Sequence, residues 1–347
     1  MAEAVLQGIN LAGVSSCVPA SVFDNREDTQ SIDPKEVKKV VAMAGVEQRR
    51  VATDDVCSSD LCLAAANELL GGLGWSSDSI DGLIFVTQTP DYFLPSTSSL
   101  LHRDLKLRPG CAAFDVGLGC SGYPYGLWLG SMMISSGSAK RVLVLHGETP
   151  SRFTHPEDRS TFLLFGDAGS ATALERSEAD TPWGFCLFSD GSGYDDLIIP
   201  AGGFRERKAA DDRDNYVHMN GGNLFNFTVK EVPALIEATL ALLSLEVDDV
   251  DAYVFHQSNR FIMRHIAKKC GLPADRIPVV LDKYGNSGGP SVPLALTHHA
   301  AGAQDGVVGQ RIMMLGYGVG LSWGSACLTI EKNTQFHHCE LETGKPS

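Results

Sequence analysis

The stretches Asp81-Gly-Leu-Ile-Phe-Val-Thr-Gln88 and Asp251-Ala-Tyr-Val-Phe-His-Gln-Ser258 decide the architecture. Each is an acidic residue followed by a short apolar run, and they stand 170 residues apart. The same offset joins Arg141-Val-Leu-Val-Leu145 to Arg311-Ile-Met-Met-Leu315, and a third echo, Gly169-Ser-Ala171 with Gly324-Ser-Ala326, keeps the order at an offset of 155. A fourth pair, "FDVGLGCSG" from Phe114 and "LDKYGNSGG" from Leu281, aligns with a one-residue gap and sets Cys120 opposite Asn286. Short β-branched and aromatic runs of this kind fit buried strands, and between them lie helical patterns such as "LCLAAANELLGGLG" and "VPALIEATLALLSL". Alternating strands and helices predict parallel sheets joined by right-handed crossovers. The collinear echoes imply a duplicated α/β unit with its halves packed face to face. No Pro/Gly/Ser-rich linker separates them, so they are expected to share one core. The first half is placed at residues 1–180 and the second at 181–332. Residues 333–347 are read as a polar tail beyond the last strand, disordered or draped on the surface.

Composition narrows the function classes. A chain of 347 residues with 44% hydrophobic and 20% charged residues can bury a large core. It has no run of 18 apolar residues and no basic-then-apolar leader, so it is expected to be soluble and cytoplasmic. Nine cysteines without a CxxC pair read as free thiols, with no disulfide frame and no metal site. A formal charge of −14 opposes nucleic acid and anionic membrane surfaces, so any polyanionic partner must meet a local basic patch.

Within "FDVGLGCSGYPYG" a strand is expected to end near Val116 and a helix to begin after the glycines, which puts Cys120 at a helix N-terminus. Unpaired N–H groups there favour thiolate, the nucleophilic form. Corresponding strand ends of two duplicated halves converge on a shared crevice. His256, ending the strand "DAYVF", and Asn286, in the turn of "KYGNSGGPSVPLAL", are therefore the candidate partners. An imidazole can take and return a proton beside a reacting thioester, and an amide adds a donor that does not titrate. His298 and His299 fall in an apolar helical pattern and His337 and His338 in the tail. His102, His146, His155, His218 and His265 have no context linking them to the cysteine. In "SNRFIMRHIAKKCG", Arg260, Arg264 and Lys268 recur every four residues with Lys269 beside them, a basic helical stripe close to His256.

Four segments in order, "GCSG" after "AFDV", "FHQSNRF", "GNSGGPSVPLAL" and "GYGVGLSWGSA", resemble the β-ketoacyl-acyl-carrier-protein synthase III group of the thiolase superfamily over about residues 5 to 332. The resemblance implies a thiolase-like α/β fold in five layers (αβαβα), a homodimer and a decarboxylative Claisen condensation. Cys120 would carry the acyl group, while His256 and Asn286 would stabilise the enolate formed from a malonyl thioester. It also implies an oxyanion hole made by the backbone N–H groups of Cys120 and Val319, and Val319 stands where the family often has glycine. Arg159 matches a basic residue of the tunnel entrance. Lys39 and Met43 stand where classical members have the tryptophan and arginine that clamp the coenzyme A adenine, so that clamp is missing. Leu94 matches the residue that floors the partner subunit's acyl pocket. Lys268 and Lys269 match a basic pair used in carrier docking, which extends to Arg260 and Arg264 as a docking stripe. The implied partners are acyl carrier protein, an acyl-CoA or acyl-carrier primer and a malonyl-carrier extender, with no cofactor.

Two other readings remain open on the sequence. The acyl-cysteine could pass its group to a hydroxyl or an amine, for which the Cys–His pair would suffice, or the chain could be a non-catalytic partner subunit. Asn286 favours carbon–carbon bond formation over the first, and the intact Cys/His/Asn set argues against the second.

Overall fold

The strands expected from the echoes form two sheets in a computed structural model that describes residues 2–304 and 306–342. In chain order the elements begin with β1 (Ala2–Leu6), β2 (Ile9–Pro19), β3 (Val22–Asp24), α1 (Pro34–Ala44), β4 (Gln48–Arg50), α2 (Ser58–Leu73), β5 (Gly82–Val86) and α3 (Thr97–Asp104). They continue with β6 (Ala112–Val116), α4 (Gly122–Ser135), β7 (Arg141–Glu148), β8 (Ala168–Arg176), β9 (Trp183–Ser189), β10 (Leu197–Ile198), β11 (His218–Met219) and α5 (Gly221–Leu242). The last are β12 (Ala252–Phe255), α6 (Arg260–Cys270), α7 (Leu281–Tyr284), α8 (Ser291–Gly302), β13 (Arg311–Gly318), β14 (Ser322–Thr329) and β15 (Gln335–Leu341). One sheet runs β15-β2-β8-β7-β5-β6 and the other β1-β9-β14-β13-β12. Helices α2 and α3 cover the outer face of the first, α5 lies on the outer face of the second with α6 against it, and α4 and α8 lie between, each touching both sheets. That is the expected five-layered αβαβα arrangement.

Strand composition explains the layering. Along β5, Ile84 and Val86 point to the central helices while Leu83 and Phe85 point to α2 and α3. In β12, Ala252 and Val254 face inward, and Tyr253 and Phe255 face α5 and α6. Both strands are covered on both faces, which is why they read as unbroken apolar runs. A fully buried residue such as Phe85 stabilises the fold by about 1.5–3 kcal/mol.

The echo persists in hydrogen bonds. The Asp81 N–H donates to the Arg141 carbonyl at 2.9 Å and its carboxylate accepts from the Arg141 N–H at 3.1 Å. Asp251 makes the same pair with Arg311, at 2.9 Å and 2.7 Å. Each acidic residue thus registers its strand against the next one.

Two expectations are corrected. The sheets are mixed: β5 pairs in parallel with β6 and β7, and β12 with β13, but β7–β8, β2–β8, β13–β14 and β9–β14 are antiparallel. No α-helix separates β7 from β8, only the short 3-10 turn Pro150–Phe153, and none separates β13 from β14, so neither pair has the helical crossover usual in a parallel connection. The second correction concerns the tail. Gln335–Leu341 is a strand, paired in parallel with Gly13–Pro19, so the chain's C-terminal part extends the first sheet. Its polarity misled because its neighbours are polar: His338 Nδ1 lies 2.9 Å from the Ser16 hydroxyl and its ring 4.7 Å from that of His298. Residues 343–347 of that expected tail lie outside the described residues. At the other terminus, β1 joins the second sheet beside β9, so the two halves exchange edge strands.

Candidate active site

Cys120 follows β6 by a glycine-containing turn and precedes the first residue of α4, Gly122, whose N–H donates to the Gly119 carbonyl at 2.8 Å. The hairpin between β13 and β14 closes over it from the other half. A side chain on Gly318 would place its Cβ 2.7 Å from the Cys120 Cβ and 2.8 Å from its Sγ, and one on Gly316 would sit 2.8 Å from the Cys120 carbonyl oxygen. Glycine is therefore required at both positions of "GYGVG" by the approach of the cysteine, and Gly318 also has a φ of 156°.

The helix N-terminus does not make Cys120 a resting thiolate. Burial pushes the thiol up to about 11, although the Val319 N–H donates to Sγ and pulls the other way; the carboxyl of Glu148 adds to the rise. Stabilisation at a helix terminus, about 0.3–1 kcal/mol, is too small to offset the desolvation. The sequence expectation of a thiolate is thereby corrected: the thiol must lose its proton as it reacts.

His256 sits immediately after β12. Its Nδ1 lies 2.9 Å from the Gly288 carbonyl, which can only accept, so Nδ1 carries the proton and Nε2 keeps its lone pair. The Ser291 hydroxyl, also 2.9 Å from Nδ1, donates to the same carbonyl at 2.6 Å and accepts from the Gln257 N–H at 3.0 Å. Burial holds His256 down to about 4, against the Gly288 bond that favours the charged form, so the resting imidazole is neutral. Asn286 is oriented equally well. Its Oδ1 accepts from the Gly288 N–H at 3.0 Å and its Nδ2 donates to the Ser258 carbonyl at 3.3 Å, leaving one N–H of the amide uncommitted. Cys120, His256 and Asn286 line one narrow space of about 110 Å³ between the two sheets' C-terminal strand ends.

This space joins two others. Towards solvent it shares Leu164, Met219, Asn259 and Ile262 with a mouth whose walls carry Lys39, Met43, Arg159, Phe225 and Phe261. Inward it shares Cys120, Phe165 and Leu197 with a chamber of about 300 Å³ lined by Phe153, Val217, Val319, Gln88 and Glu148. Arg159 is at the mouth as expected, but it is ion-paired to Glu36 of α1, which also holds Lys39 at 3.1 Å. Leu94 is 88% exposed and does not line the chamber of its own chain, and its neighbours Tyr92 and Phe93 are exposed too. The basic stripe on α6 divides. Arg260 reaches α1 through the Gly45 carbonyl at 3.3 Å and Lys269 donates to the Val229 carbonyl at 2.8 Å, while Arg264 and Lys268 are exposed.

Sequence reading missed two residues. Glu148, at the end of β7, is buried in the inner chamber wall with its carboxyl bonded by the Gln88 N–H at 2.8 Å and the Thr89 hydroxyl at 3.1 Å. Burial pushes it up to about 8, with those two bonds opposing. His146, set aside on the sequence as unconnected, fills the space between the two catalytic turns. A Cβ on Gly289 would fall 1.8 Å from its ring and one on Gly122 3.0 Å away. Burial, and then His256, push it down to about 3. The signal was present in "HGE", which aligns at offset 170 with Gly316-Tyr-Gly318 of the hairpin over Cys120, but nothing local marks it.

Residues 240–330 match the family model of the 3-oxoacyl-[acyl-carrier-protein (ACP)] synthase III C terminal, and residues 114–191 match that of 3-oxoacyl-[acyl-carrier-protein (ACP)] synthase III. A β-ketoacyl-[acyl-carrier-protein] synthase III of Streptomyces coelicolor is 38% identical over 326 residues, 92% of this chain and 96% of the relative. The chain belongs to the 3-oxoacyl-[acyl-carrier-protein] synthase III family. A synthase III of Xanthomonas campestris is 34% identical over 323 residues, covering 92% of this chain and 97% of the relative. The crystal structure of a 3-oxoacyl-(acyl-carrier protein) synthase from Burkholderia xenovorans superposes with a TM-score of 0.93 at 44% identity, over 98% of this chain and 99% of that one. The fold is thus that of the family's solved members, and the family's reaction is condensation of an acyl group with a malonyl carrier thioester. Among the described residues no helix is long and apolar enough to cross a membrane.

Proposed function

We propose that this chain condenses an acyl thioester with a malonyl thioester through an acyl group held on Cys120. The observation that carries the reading is the convergence of a neutral thiol, a neutral imidazole with a free Nε2 and an oriented amide in one space flanked by an apolar chamber and an open mouth. In the first half-reaction Cys120 attacks the thioester carbon while His256 Nε2 takes its proton and returns it to the departing thiol. The backbone N–H groups of Cys120 and Val319 face the oxyanion that forms. In the second, loss of carbon dioxide from the malonyl group leaves an enolate that accepts a hydrogen bond from Asn286 Nδ2. Its carbon attacks the acyl carbon, and the Cys120 sulfur leaves and takes up the one proton that the condensation consumes, delivered through His256. No cofactor is needed, because the electron pair of the new bond comes from the broken carbon–carboxylate bond.

The inner chamber takes the acyl tail and the mouth takes the arm of the thioester. Lacking an adenine clamp, with Lys39 and Met43 at those positions and Arg159 already paired to Glu36, the mouth suits an acidic carrier protein at Arg264 and Lys268 better than free coenzyme A. Arg260 and Lys269 frame that surface by holding α6 to its neighbours. The exposed Tyr92, Phe93 and Leu94 would be covered in a homodimer, where Leu94 would floor the partner subunit's chamber. The protein would act in the cytoplasm, where carrier thioesters are made.

Intact mass of wild type and Cys120→Ala after exposure to a panel of acyl-CoA and acyl-carrier thioesters tests this. An adduct of acyl mass in wild type alone is expected, and adding malonyl carrier protein then discharges it with release of carbon dioxide and a 3-ketoacyl product. Discharge without carbon dioxide would mean transfer to another acceptor, and absence of any adduct would sink the reading.

A further inference from the structure

Val319 stands with its side chain beside the way from the Cys120 sulfur into the inner chamber. Its N–H donates to the Cys120 Sγ, so the Val319 Cβ stands next to the oxyanion donor. Its Cγ1 comes within 3.2 Å of where a Cβ on Gly119 would be, and both residues belong to the wall of the inner chamber. Once the acyl oxygen lies between the Cys120 and Val319 N–H groups and the acyl carbon is bonded to Sγ, the next carbon lies beside the Val319 side chain and Gly119. A Cβ on Gly119 would meet Val319 Cγ1 on one side and the Gln88 side chain on the other. The gap there lies between the Val319 isopropyl group and the wall that carries Gln88 and Glu148, and it opens on the chamber's apolar lining at Phe153 and Val217.

That gap is rigid. The β-branched valine side chain has restricted rotation about its first torsion. The hairpin is also fixed: the Ser322 hydroxyl donates to the Val319 carbonyl at 2.8 Å and lies 2.6 Å from the Ser121 hydroxyl beside the nucleophile. A methylene chain has the cross-section to pass such a gap, whereas a methyl branch on the first carbon must occupy the space held by Val319 Cγ1 or press on Gly119. We propose that the Val319 side chain is a specificity-determining group that admits straight-chain acyl groups to Cys120 and rejects those branched at the carbon next to the carbonyl. The inference rests on the acyl-cysteine reading above and adds to it the shape of the substrate.

The test uses full-length protein and reads the rate of Cys120 acylation by intact mass. A straight-chain series of CoA and carrier thioesters first finds the best donor, which is then compared with its 2-methyl counterpart. Wild type is expected to prefer the straight donor by about tenfold or more, the discrimination that one carbon supplies in a shaped apolar pocket. Val319→Ala should raise the ratio of branched to straight acylation by about tenfold, while Val319→Thr, which keeps the shape, should retain the wild-type ratio. Equal use of both donors by wild type would overturn the inference, as would an unchanged ratio in Val319→Ala or a shift in Val319→Thr as large as in Val319→Ala. Failure of every thioester to label folded wild type would instead overturn the acyl-cysteine reading, and the inference with it.

Discussion

The turn that carries Cys120 and the turn that carries Asn286 align with each other between the two halves of the sequence, yet they are built differently. Before Cys120 the chain forms β6, and the Thr87 N–H donates to the Val116 carbonyl at 3.1 Å to close the sheet edge. Before Asn286 no strand forms among the described residues. The side chain of Gln257 serves the backbone there: its Nε2 donates to the Pro278 carbonyl at 3.3 Å and its Oε1 accepts from the Val280 N–H at 3.1 Å. A single amide replaces a strand's ladder, leaving the Asn286 turn free to lean on the other half. Its N–H donates to the Leu164 carbonyl at 2.9 Å and its carbonyl accepts from the Gly166 N–H at 3.0 Å. The Cys120 turn is held in turn by Gly316, Gly318 and Val319 of the second half. Each catalytic turn is therefore positioned by a loop of the opposite repeat, so the site exists only when both halves are packed.

Breaking either support should separate the two half-reactions. Gly318→Ala drives a Cβ into Cys120 and displaces the Val319 donor; acylation of Cys120, read by mass, should fall by ~100-fold or more, the usual loss for one oxyanion donor. In the mirror experiment Asn286→Ala should leave acylation within a few-fold of wild type. Carbon dioxide release from malonyl carrier protein should then drop by ~100-fold. Equal losses in both half-reactions for either variant would show that the turns are not separately supported. Gly166→Ala sharpens the comparison, because its Cβ would lie 2.2 Å from the Tyr284 carbonyl oxygen, a backbone atom. Destabilisation of about 1–3 kcal/mol in denaturant titration is expected, with condensation hit harder than acylation.

A smaller effect is expected from Ser291→Ala, which removes the hydroxyl bridging His256, the Gly288 carbonyl and the Gln257 N–H. Condensation should slow by about tenfold, as for other groups that orient a reacting side chain, and steady-state kcat should fall more than KM rises. The change expected from Glu148→Gln is one of stability with pH. Because burial raises the carboxyl from 4.5 to about 8, its protonated form is favoured in the folded state. The stability this gives is full below pH 4.5 and is lost as pH rises through about 8. Glutamine mimics the protonated form without titrating. The melting temperature of Glu148→Gln relative to wild type should therefore climb between pH 5 and pH 8 and level off above; a flat difference would show that the carboxyl does not stay protonated in the chamber.

Much of this site was legible in the residues. Cys120, His256 and Asn286 could be picked out because strand–turn boundaries are local: an apolar run, then glycine, then helical spacing. The same locality exposed the repeats, and so the correspondence between the two turns. Other features depended on atoms distant in the chain. The short β15 looked like a tail because pairing with Gly13–Pro19 leaves no strict alternation in its seven residues, QFHHCEL, where Phe336, Cys339 and Leu341 are interspersed with polar ones. His146 looked idle because its importance lies in two glycines, at 122 and 289, that leave room for its ring. The pairing of Arg159, matched only to the tunnel entrance, was not legible because Glu36, which neutralises it, sits on another element.

The sequence by itself determined the two α/β repeats and the identity of the Cys, His and Asn set, since these follow from local pattern and residue chemistry, while the five-layered fold came through its resemblance to the family. Only the tertiary structure decided the protonation states: a thiol near 11, an imidazole near 4 and a carboxyl near 8. Each is set mainly by how much water the surrounding halves exclude, which no local pattern encodes. It also decided the exchange of edge strands and the crossed support of the two turns. These are contacts between residues more than a hundred positions apart, and only the packing of one repeat on the other brings them together.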